Sequence, residues 1–275
     1  MTKQLTLLAC IAFLLFSCEE IAPRLNPGSG TNNPNDQQRQ VLIEEFTGVR
    51  CVNCPAGSDA IQTLKGIYGE QLIAVSIHTG FFAPPYPQSN EDFRTPEGAS
   101  LLSYLGEPLG YPTSVINRKL FNGETDLQLG QSQWAGFIAE EFALAPQAQV
   151  LITKTYNPTT RALEAKVNLD ILENIAENDV RISVMITQDQ ITDTQLTPSG
   201  VVDNYVHRHV LRDMMSAYDG DPVNGPLVAG DEVTRTFNYT LPQGWDADHC
   251  YIVAFLHHSG SEKTVIQAQE VKVLD

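Results

Sequence analysis

The sequence has little positive charge, and long apolar runs are missing from most of it. Its 275 residues include 17 Lys and Arg against 33 Asp and Glu, which gives a formal net charge of −16. Such a surface repels phosphate backbones, so we expect no nucleic-acid partner. Beyond the N-terminus no stretch approaches the roughly 20 apolar residues of a membrane-spanning helix, while anchoring to a membrane remains open. With 42% hydrophobic residues, the composition is typical of a folded globular protein.

The N-terminus has the pattern of a signal peptide. An apolar run at 5–16 follows a positive residue and is too short to span a bilayer. The run ends next to Cys18, and this junction resembles the processing site of bacterial lipoproteins, in which the cysteine is lipidated. We therefore predict a signal peptide at 1–17, a lipid on Cys18 and a flexible tether at 18–40. The alternative is a general secretory signal in which Cys18 is incidental.

The five cysteines differ in their expected roles. Cys10 leaves with the predicted signal peptide and Cys18 accepts the lipid, so three remain in a compartment that favours disulfides. Cys51 and Cys54 are close together in the sequence. Cys250 lies in an apolar, strand-like run, where we expect a buried core thiol rather than a disulfide partner.

Cys51 and Cys54 lie at the junction of two predicted elements. Residues 41–47 favour a strand, a helical period then continues up to Gly69, and residues 71–78 favour a second strand. The pair therefore belongs to the first turn of a helix, whose positive end would lower the pKa of Cys51. Its spacing suits a redox-active dithiol, which we favour, a static structural disulfide, or a metal site with two further ligands.

A second motif extends the pattern. Gly110-Tyr111-Pro112-Thr113 precedes another β-rich run. Together with the strand, cysteine pair, helix and strand before it, this order resembles the thioredoxin fold. The resemblance implies that Pro112 is a cis-proline facing the cysteines and that Tyr111 and Thr113 contact the substrate. The alternative is that Tyr-Pro merely opens a strand or a turn.

Glu45 lies six residues before Cys51, where thioredoxins keep a buried acid that relays protons to the second cysteine. The resemblance thus implies a proton-relay role for Glu45. On a strand Glu45 shares a face with Val41 and Ile43, and apolar surroundings there would raise its pKa. The alternative is an acid at the edge of a partly exposed strand.

The chain also departs from the thioredoxin pattern. Arg50 stands where thioredoxins usually keep a tryptophan, and we predict an insertion at 79–108. Within it, the aromatic and Pro-rich stretch 81–87 is either a lid near the cysteines or a cap on the core.

From residue 146 the pattern changes to short alternating runs separated by turns. The predicted fold class is therefore an α/β thioredoxin-like domain at 41–145, followed at 146–275 by an all-β domain, an Ig-like antiparallel sandwich. His207 and His209 fall on one face of a predicted strand, as a metal pair would. Because no third ligand is evident, we interpret them as structural histidines and expect no metal site.

Most of the mature chain resembles the Omp28-related outer-membrane lipoproteins of Bacteroidetes. The resemblance rests on the motifs EFTGVRCVNCP, NEDFRT, GYPTSVINR and YVHRHVLR. It implies a lipid-anchored protein of the cell envelope, at the outer membrane, facing either the periplasm or the cell surface. The biochemical role of this family is poorly defined, and adhesion or receptor roles have been suggested for it.

The leading functional hypothesis is thiol–disulfide exchange with protein or peptide thiols and disulfides as partners. Cys51 would attack, Cys54 would resolve, Glu45 would relay the proton and Pro112 would shape the substrate site. The cysteine pair is itself the redox group, so no metal or organic cofactor is expected. The protein is thus a candidate oxidoreductase. The alternative is a non-enzymatic surface protein for binding or adhesion, in which Cys51–Cys54 is a structural disulfide.

Overall fold

A computed structural model describes residues 37–176 and 179–274. The predicted signal peptide, the lipidation site at Cys18 and most of the predicted tether lie outside these residues. Three short 3-10 helices occur near residues 70 and 132 and just before Cys250. The helices and longer elements are, in chain order, β1 Val41–Thr47, α1 Cys54–Tyr68, β2 Leu72–His78, α2 Pro96–Leu105, β3 Thr113–Ile116, β4 Leu129–Gly130, α3 Trp134–Phe142, β5 Ala148–Tyr156, β6 Ala162–Ile171, β7 Val180–Gln188, β8 Ile191–Thr197, β9 Gly200–His207, β10 Val210–Met214, β11 Asp221–Val223, β12 Glu232–Thr240, β13 Cys250–His258 and β14 Val265–Lys272.

One mixed sheet of nine strands runs through both halves of the chain. Eight strands follow the order β14-β13-β7-β10-β2-β1-β3-β4, and β11 pairs with β7. The link between the halves is β10, which pairs in parallel with β2 at Val210 and Ser76 and antiparallel with β7. A three-stranded sheet, β12-β6-β5, and the β8–β9 hairpin complete the strands of the described residues.

The predicted fold class is therefore wrong. Strands make up 42% and helices 18% of the described residues, and the sheets are mixed, so the molecule is mostly β rather than an α/β unit followed by an independent sandwich. The physical reason is β10, a five-residue strand with a register shift between Leu211 and Asp213. Its pairing with β2 is long-range and leaves no periodic signal in the sequence. The predicted boundary after residue 145 falls between α3 and β5 and stays a prediction.

Two helices in the first half have local sequence signals at their ends. Helix α1 carries Pro55 in its first turn and ends at Gly69, whose φ of 58° suits glycine. Thr95 caps the N-terminus of helix α2: its hydroxyl accepts a hydrogen bond from the Gly98 amide at 2.9 Å. These signals are local, which is why they could be read from the sequence.

Strand β1 lies between β2 and β3, and its seven residues are all buried. Val41 and Ile43 pack with side chains of α1 and α3 on one face. Leu42 and Phe46 pack with α2 on the other. Because helices cover both faces of this strand, its two polar side chains, Glu44 and Glu45, are both held in the interior, at 0% and 1% exposure. A third core cluster lies between the three-stranded sheet and the β7–β13–β14 side of the large sheet.

Candidate functional site

Cys51 and Cys54 form a disulfide with a Cα–Cα distance of 5.4 Å. Helix α1 begins at Cys54, so only the second cysteine belongs to it, and Cys51 lies in the preceding turn rather than in the helix as predicted. Val52 between them is 41% exposed, yet the cysteines themselves are only 3% and 2% exposed. The turn is thus at the surface while the disulfide is covered.

The β8–β9 hairpin from the second half of the chain covers the cysteine turn. Gln195, which is 3% exposed, donates hydrogen bonds from Nε2 to the backbone oxygens of Gly48, at 3.4 Å, and Cys51, at 3.1 Å. The Leu196 amide donates to the Val49 oxygen at 2.8 Å. Sequence reasoning missed this hairpin, although its signal was present as a Pro-Ser-Gly turn between two β-rich runs.

Glu45 points into the interior beneath α1. The Ser76 hydroxyl donates to its Oε2 at 3.1 Å, and its Oε1 has no hydrogen-bond partner among the described residues. Burial raises the pKa of Glu45 to about 8, against a smaller opposing effect of the Ser76 hydrogen bond. The expected rise in pKa is confirmed, and the alternative of a partly exposed edge strand is wrong. At neutral pH Glu45 is therefore a neutral acid that can donate a proton.

Cys54 and Glu45 line the same small cavity, with a volume of about 20 Å³. His78 and His207 complete its polar wall, and Ser58 and Tyr205 also contribute to it. The volume is sufficient for one water molecule. The structure therefore brings the second cysteine, a buried carboxyl group and two imidazoles to one small pocket.

The two histidines are part of an aromatic cluster around Phe93. Ring centroids are 4.9 Å apart for His78 and Phe93, 4.6 Å for Phe93 and His207, and 5.6 Å for the two histidines. Burial lowers the pKa of His207 to about 4, while a hydrogen bond to the Thr194 backbone and the charge of Asp193 oppose this shift. Burial, followed by the charge of His207, also lowers the pKa of His78 well below its usual value. Both imidazoles are therefore neutral at neutral pH.

His207 and His209 do not share a strand face, which corrects the sequence interpretation. His207 ends β9, whereas His209 precedes β10 with a left-handed φ of 52°. The Nε2 atom of His209 contacts Gln62 Nε2 at 3.0 Å, away from the cavity. Within residues 37–176 and 179–274, no group of three or more His, Cys, Asp or Glu side chains has an arrangement that would hold a metal ion.

The Tyr111–Pro112 peptide bond is cis, as the resemblance implied. Pro112 and Glu45 both approach Gly57 of α1: a Cβ atom at residue 57 would lie 2.8 Å from Pro112 Cβ and 2.7 Å from Glu45 Oε1. Only glycine fits at this position, which lets the helix, Pro112 and Glu45 come together next to Cys54. The Thr113 hydroxyl donates to the Leu129 oxygen at 3.0 Å, so this side chain is used within the sheet. Substrate contacts by Tyr111 and Thr113 stay predictions.

The stretch 81–87 packs beside the cysteine turn through Arg50. The Arg50 guanidinium donates to the backbone oxygens of Pro84 and Pro85 at 2.7 and 2.6 Å, and its amide donates to the Phe82 oxygen. The Phe82 ring contacts the Tyr111 ring with centroids 5.5 Å apart, whereas Phe81 is 85% exposed. The stretch thus borders the site with an exposed aromatic side chain.

Cys250 is a core residue, as predicted. It is fully buried in β13, and burial raises the pKa of its thiol to about 12. Of the cysteines that the structure describes, it is the free one. None of the described helices is long and apolar enough to cross a membrane.

Comparison with known proteins gives one family match. The model of the family described as "Outer membrane protein Omp28" matches residues 105–275, more than half of the chain. The matched region includes Pro112 and His207 and begins after the two cysteines. The comparison with curated proteins gave no significant match.

Two solved structures share the fold at low sequence identity. HBP35 of Porphyromonas gingivalis is 20% identical with a TM-score of 0.69, over 86% of this chain and 76% of that one. Protein AGR_C_4864 from Agrobacterium tumefaciens is 13% identical with a TM-score of 0.54, over 87% of this chain and 97% of that one. A domain of the outer membrane lipoprotein Omp28 from Porphyromonas gingivalis is 18% identical, with a TM-score of 0.33, over 46% of this chain and 88% of that one.

Proposed function

We propose that this chain, a member of the Omp28 family of outer membrane proteins, exchanges thiols and disulfides at the outer membrane through Cys51 and Cys54. The partners would be protein or peptide thiols and disulfides of the cell envelope. A lipid on Cys18 would hold the protein on the membrane.

The observation that carries the proposal is the cavity shared by Cys54 and Glu45. A buried carboxyl group with an unpaired oxygen destabilises a fold, so a purely structural disulfide has no need of one at its side. An acid with a pKa of about 8 is, however, well suited to proton transfer at neutral pH. Its place beside the second cysteine supports a role in exchange.

In the proposed reaction the partner reduces the Cys51–Cys54 disulfide. A thiolate of the partner attacks Cys51 Sγ, the Cys51–Cys54 bond breaks, and its electron pair leaves on Cys54 Sγ. Glu45 donates its proton to the Cys54 thiolate. A second thiol of the partner then attacks the mixed disulfide and releases Cys51 as a thiolate, so the partner is oxidised by two electrons and the protein is reduced by two. The reverse direction uses the Glu45 carboxylate as the base that deprotonates Cys54.

A partner can reach Cys51 only if the β8–β9 hairpin moves away from the cysteine turn, since Cys51 is only 3% exposed. We expect Gln195→Ala to speed the reduction of the disulfide by dithiothreitol about tenfold, because it removes hydrogen bonds that hold the hairpin on the cysteine turn. The rate is measured by quenching with an alkylating reagent. Thr192→Ala, an exposed position on the same strand, is the matched control and should leave the rate unchanged. An unchanged rate in Gln195→Ala would show that the hairpin does not limit access.

The midpoint potential of the pair tests the proposed function. Full-length protein carrying Cys250→Ala is equilibrated in graded glutathione buffers, its thiols are trapped, and the Cys51/Cys54 state is determined by mass spectrometry. We expect a midpoint between about −120 and −270 mV, the range of known exchange proteins. A pair that remains oxidised below about −300 mV would contradict the proposal.

That second outcome would favour the other candidate function, a binding or adhesion protein with a structural disulfide. The burial of both cysteines favours it, as does the exposure of Phe81 and Leu109, at 85% and 106%. On that interpretation Cys51–Cys54 stabilises the turn, and the exposed apolar side chains contact a partner.

A further inference from the structure

We propose that His207 is a positioning residue for the Cys54–Glu45 pair. In this role His207 exchanges protons with Glu45 through one water molecule in the cavity that all three residues line. This inference deepens the proposed exchange function and rests on it. It also assigns a role to the second half of the chain, since β9 delivers His207 to the cavity that β1, β2 and α1 line with Glu45, His78 and Cys54.

Unpaired polar atoms around the cavity support a bound water. Glu45 Oε1, His78 Nδ1 and His207 Nε2 are all buried and have no hydrogen-bond partner within the described part of the chain. Leaving a buried polar atom unpaired is unfavourable, and a water that bridges such atoms relieves the penalty. The cavity volume of about 20 Å³ has room for a single water molecule.

The chemistry of His207 suits proton exchange. A hydrogen bond to the Thr194 backbone involves one ring nitrogen, and Nε2 is the unpaired one. A neutral imidazole with a free nitrogen can accept a hydrogen bond from water. His78, which also lines the cavity, has a second unpaired nitrogen, and its ring centroid lies 5.6 Å from that of His207.

Charged and titratable groups surround the two imidazoles on several elements. The charge of Asp193, on β8, raises the pKa of His207. The charge of Arg212, on β10, lowers the pKa of His78, and that of Asp92, in the loop before α2, raises it. The remaining titratable groups at the cavity are Glu45 on β1, Cys54 on α1, Tyr205 on β9 and Arg208 after it.

The proposed proton movement follows from these positions. In the oxidised protein at neutral pH, one proton resides on Glu45 and His207 is neutral. When Glu45 has given its proton to Cys54, the new carboxylate charge raises the pKa of His207. His207 then takes one proton from solvent and passes it through the water to Glu45, which restores the starting state.

The first test needs no redox activity. We expect the ¹⁵N resonance of His207 Nε2 in the oxidised full-length protein to shift with a midpoint near pH 8, as Glu45 ionises and the water changes its hydrogen bonds. The inflection should vanish in Glu45→Gln. A His207 resonance that does not change around pH 8 would overturn the inference, whatever the midpoint potential of the disulfide.

The second test uses turnover with dithiothreitol and oxidised glutathione as the substrates, followed from pH 5 to pH 9. We expect His207→Phe, which keeps a ring against Phe93, to lower turnover at pH 7 by about tenfold to a hundredfold. The alkaline side of the pH profile of turnover should also shift to higher pH, because Glu45 loses its contact with water and its pKa rises further. His209→Asn is the control, since Asn tolerates a left-handed φ and residue 209 lies outside the cavity. It should retain the wild-type profile.

The outcomes separate the two proposals. Wild-type turnover with an unchanged pH profile in His207→Phe would overturn the role of His207 and leave the exchange function intact. A disulfide that resists reduction would overturn the exchange function, while the inflection near pH 8 would still decide whether Glu45 and His207 are linked. If His207→Phe fails to fold, the resonance test on Glu45→Gln replaces it.

Discussion

Replacing Glu45 with glutamine is expected to stabilise the protein, and to do so more strongly as the pH rises. The pKa of Glu45 is raised from 4.5 to about 8 in the folded protein. Between these values unfolding releases a proton, so the free energy of unfolding of the wild type falls as the pH increases. The total loss is about 5 kcal/mol above pH 8, and about 3 kcal/mol of it has accrued at pH 7. The Glu45→Gln variant would carry no such penalty, because an amide does not ionise.

Urea denaturation at several pH values between 5 and 9 measures this effect. Glu164→Gln, at an exposed position of β6, is the control and should change the free energy of unfolding by less than about 0.5 kcal/mol at every pH. As the pH falls below 6, Glu45→Gln should lose stability, whereas in the wild type the rising contribution of Glu45 offsets this loss. There the buried His207 resists protonation in the folded state, with a pKa of about 4, whereas the unfolded chain takes up protons below about 6.5. Equal stability of the wild type and Glu45→Gln at pH 9 would show that Glu45 is not held as a neutral acid.

Replacing the neighbouring Glu44 with glutamine is expected to have the opposite effect. The Glu44 carboxylate accepts hydrogen bonds from Arg118 Nε and Nη2 at 2.8 and 2.7 Å, and both side chains are fully buried. The Arg118 guanidinium also lies 4.7 Å from the Phe255 ring centroid. Glu44→Gln would leave this buried cation without its counter-charge, which costs about 3–5 kcal/mol of stability.

Denaturation at pH 7 of single and double variants tests this account. The double variant Glu44→Leu with Arg118→Met removes both charges and fills the space with apolar groups, so it should lose much less stability than Glu44→Gln. The slope of the free energy of unfolding against denaturant concentration should stay unchanged, since the variants alter stability and not the surface exposed on unfolding. A Glu44→Gln protein as stable as the wild type would mean that Arg118 finds another partner.

The contrast between these two adjacent glutamates illustrates what could be read from the sequence. Alternation along a strand places adjacent side chains on opposite faces, and it predicted that Glu45 shares its face with Val41 and Ile43. Pattern alone could not show that both faces of β1 are covered. Nor could it show that Arg118, which lies 74 residues further along, supplies a counter-charge to one glutamate while the other receives only a hydroxyl.

By itself the sequence determined the elements whose signals are local. The limits of β1, the end of α1 at Gly69, the cis bond at Pro112 through its motif, the burial of Cys250 and the family itself were all within its reach. These features depend on neighbouring residues, on caps and turns, or on motifs that can be compared.

The tertiary structure alone decided how the two halves combine. Strand β10 joins them into one sheet, Gln195 covers the cysteine turn, and His207 reaches the cavity beside Cys54. Each of these contacts joins residues that are more than a hundred positions apart. Such pairings are selected by the packing of the whole molecule and leave no periodic pattern in the sequence. The sequence could therefore predict only those site residues that come from the first half of the chain.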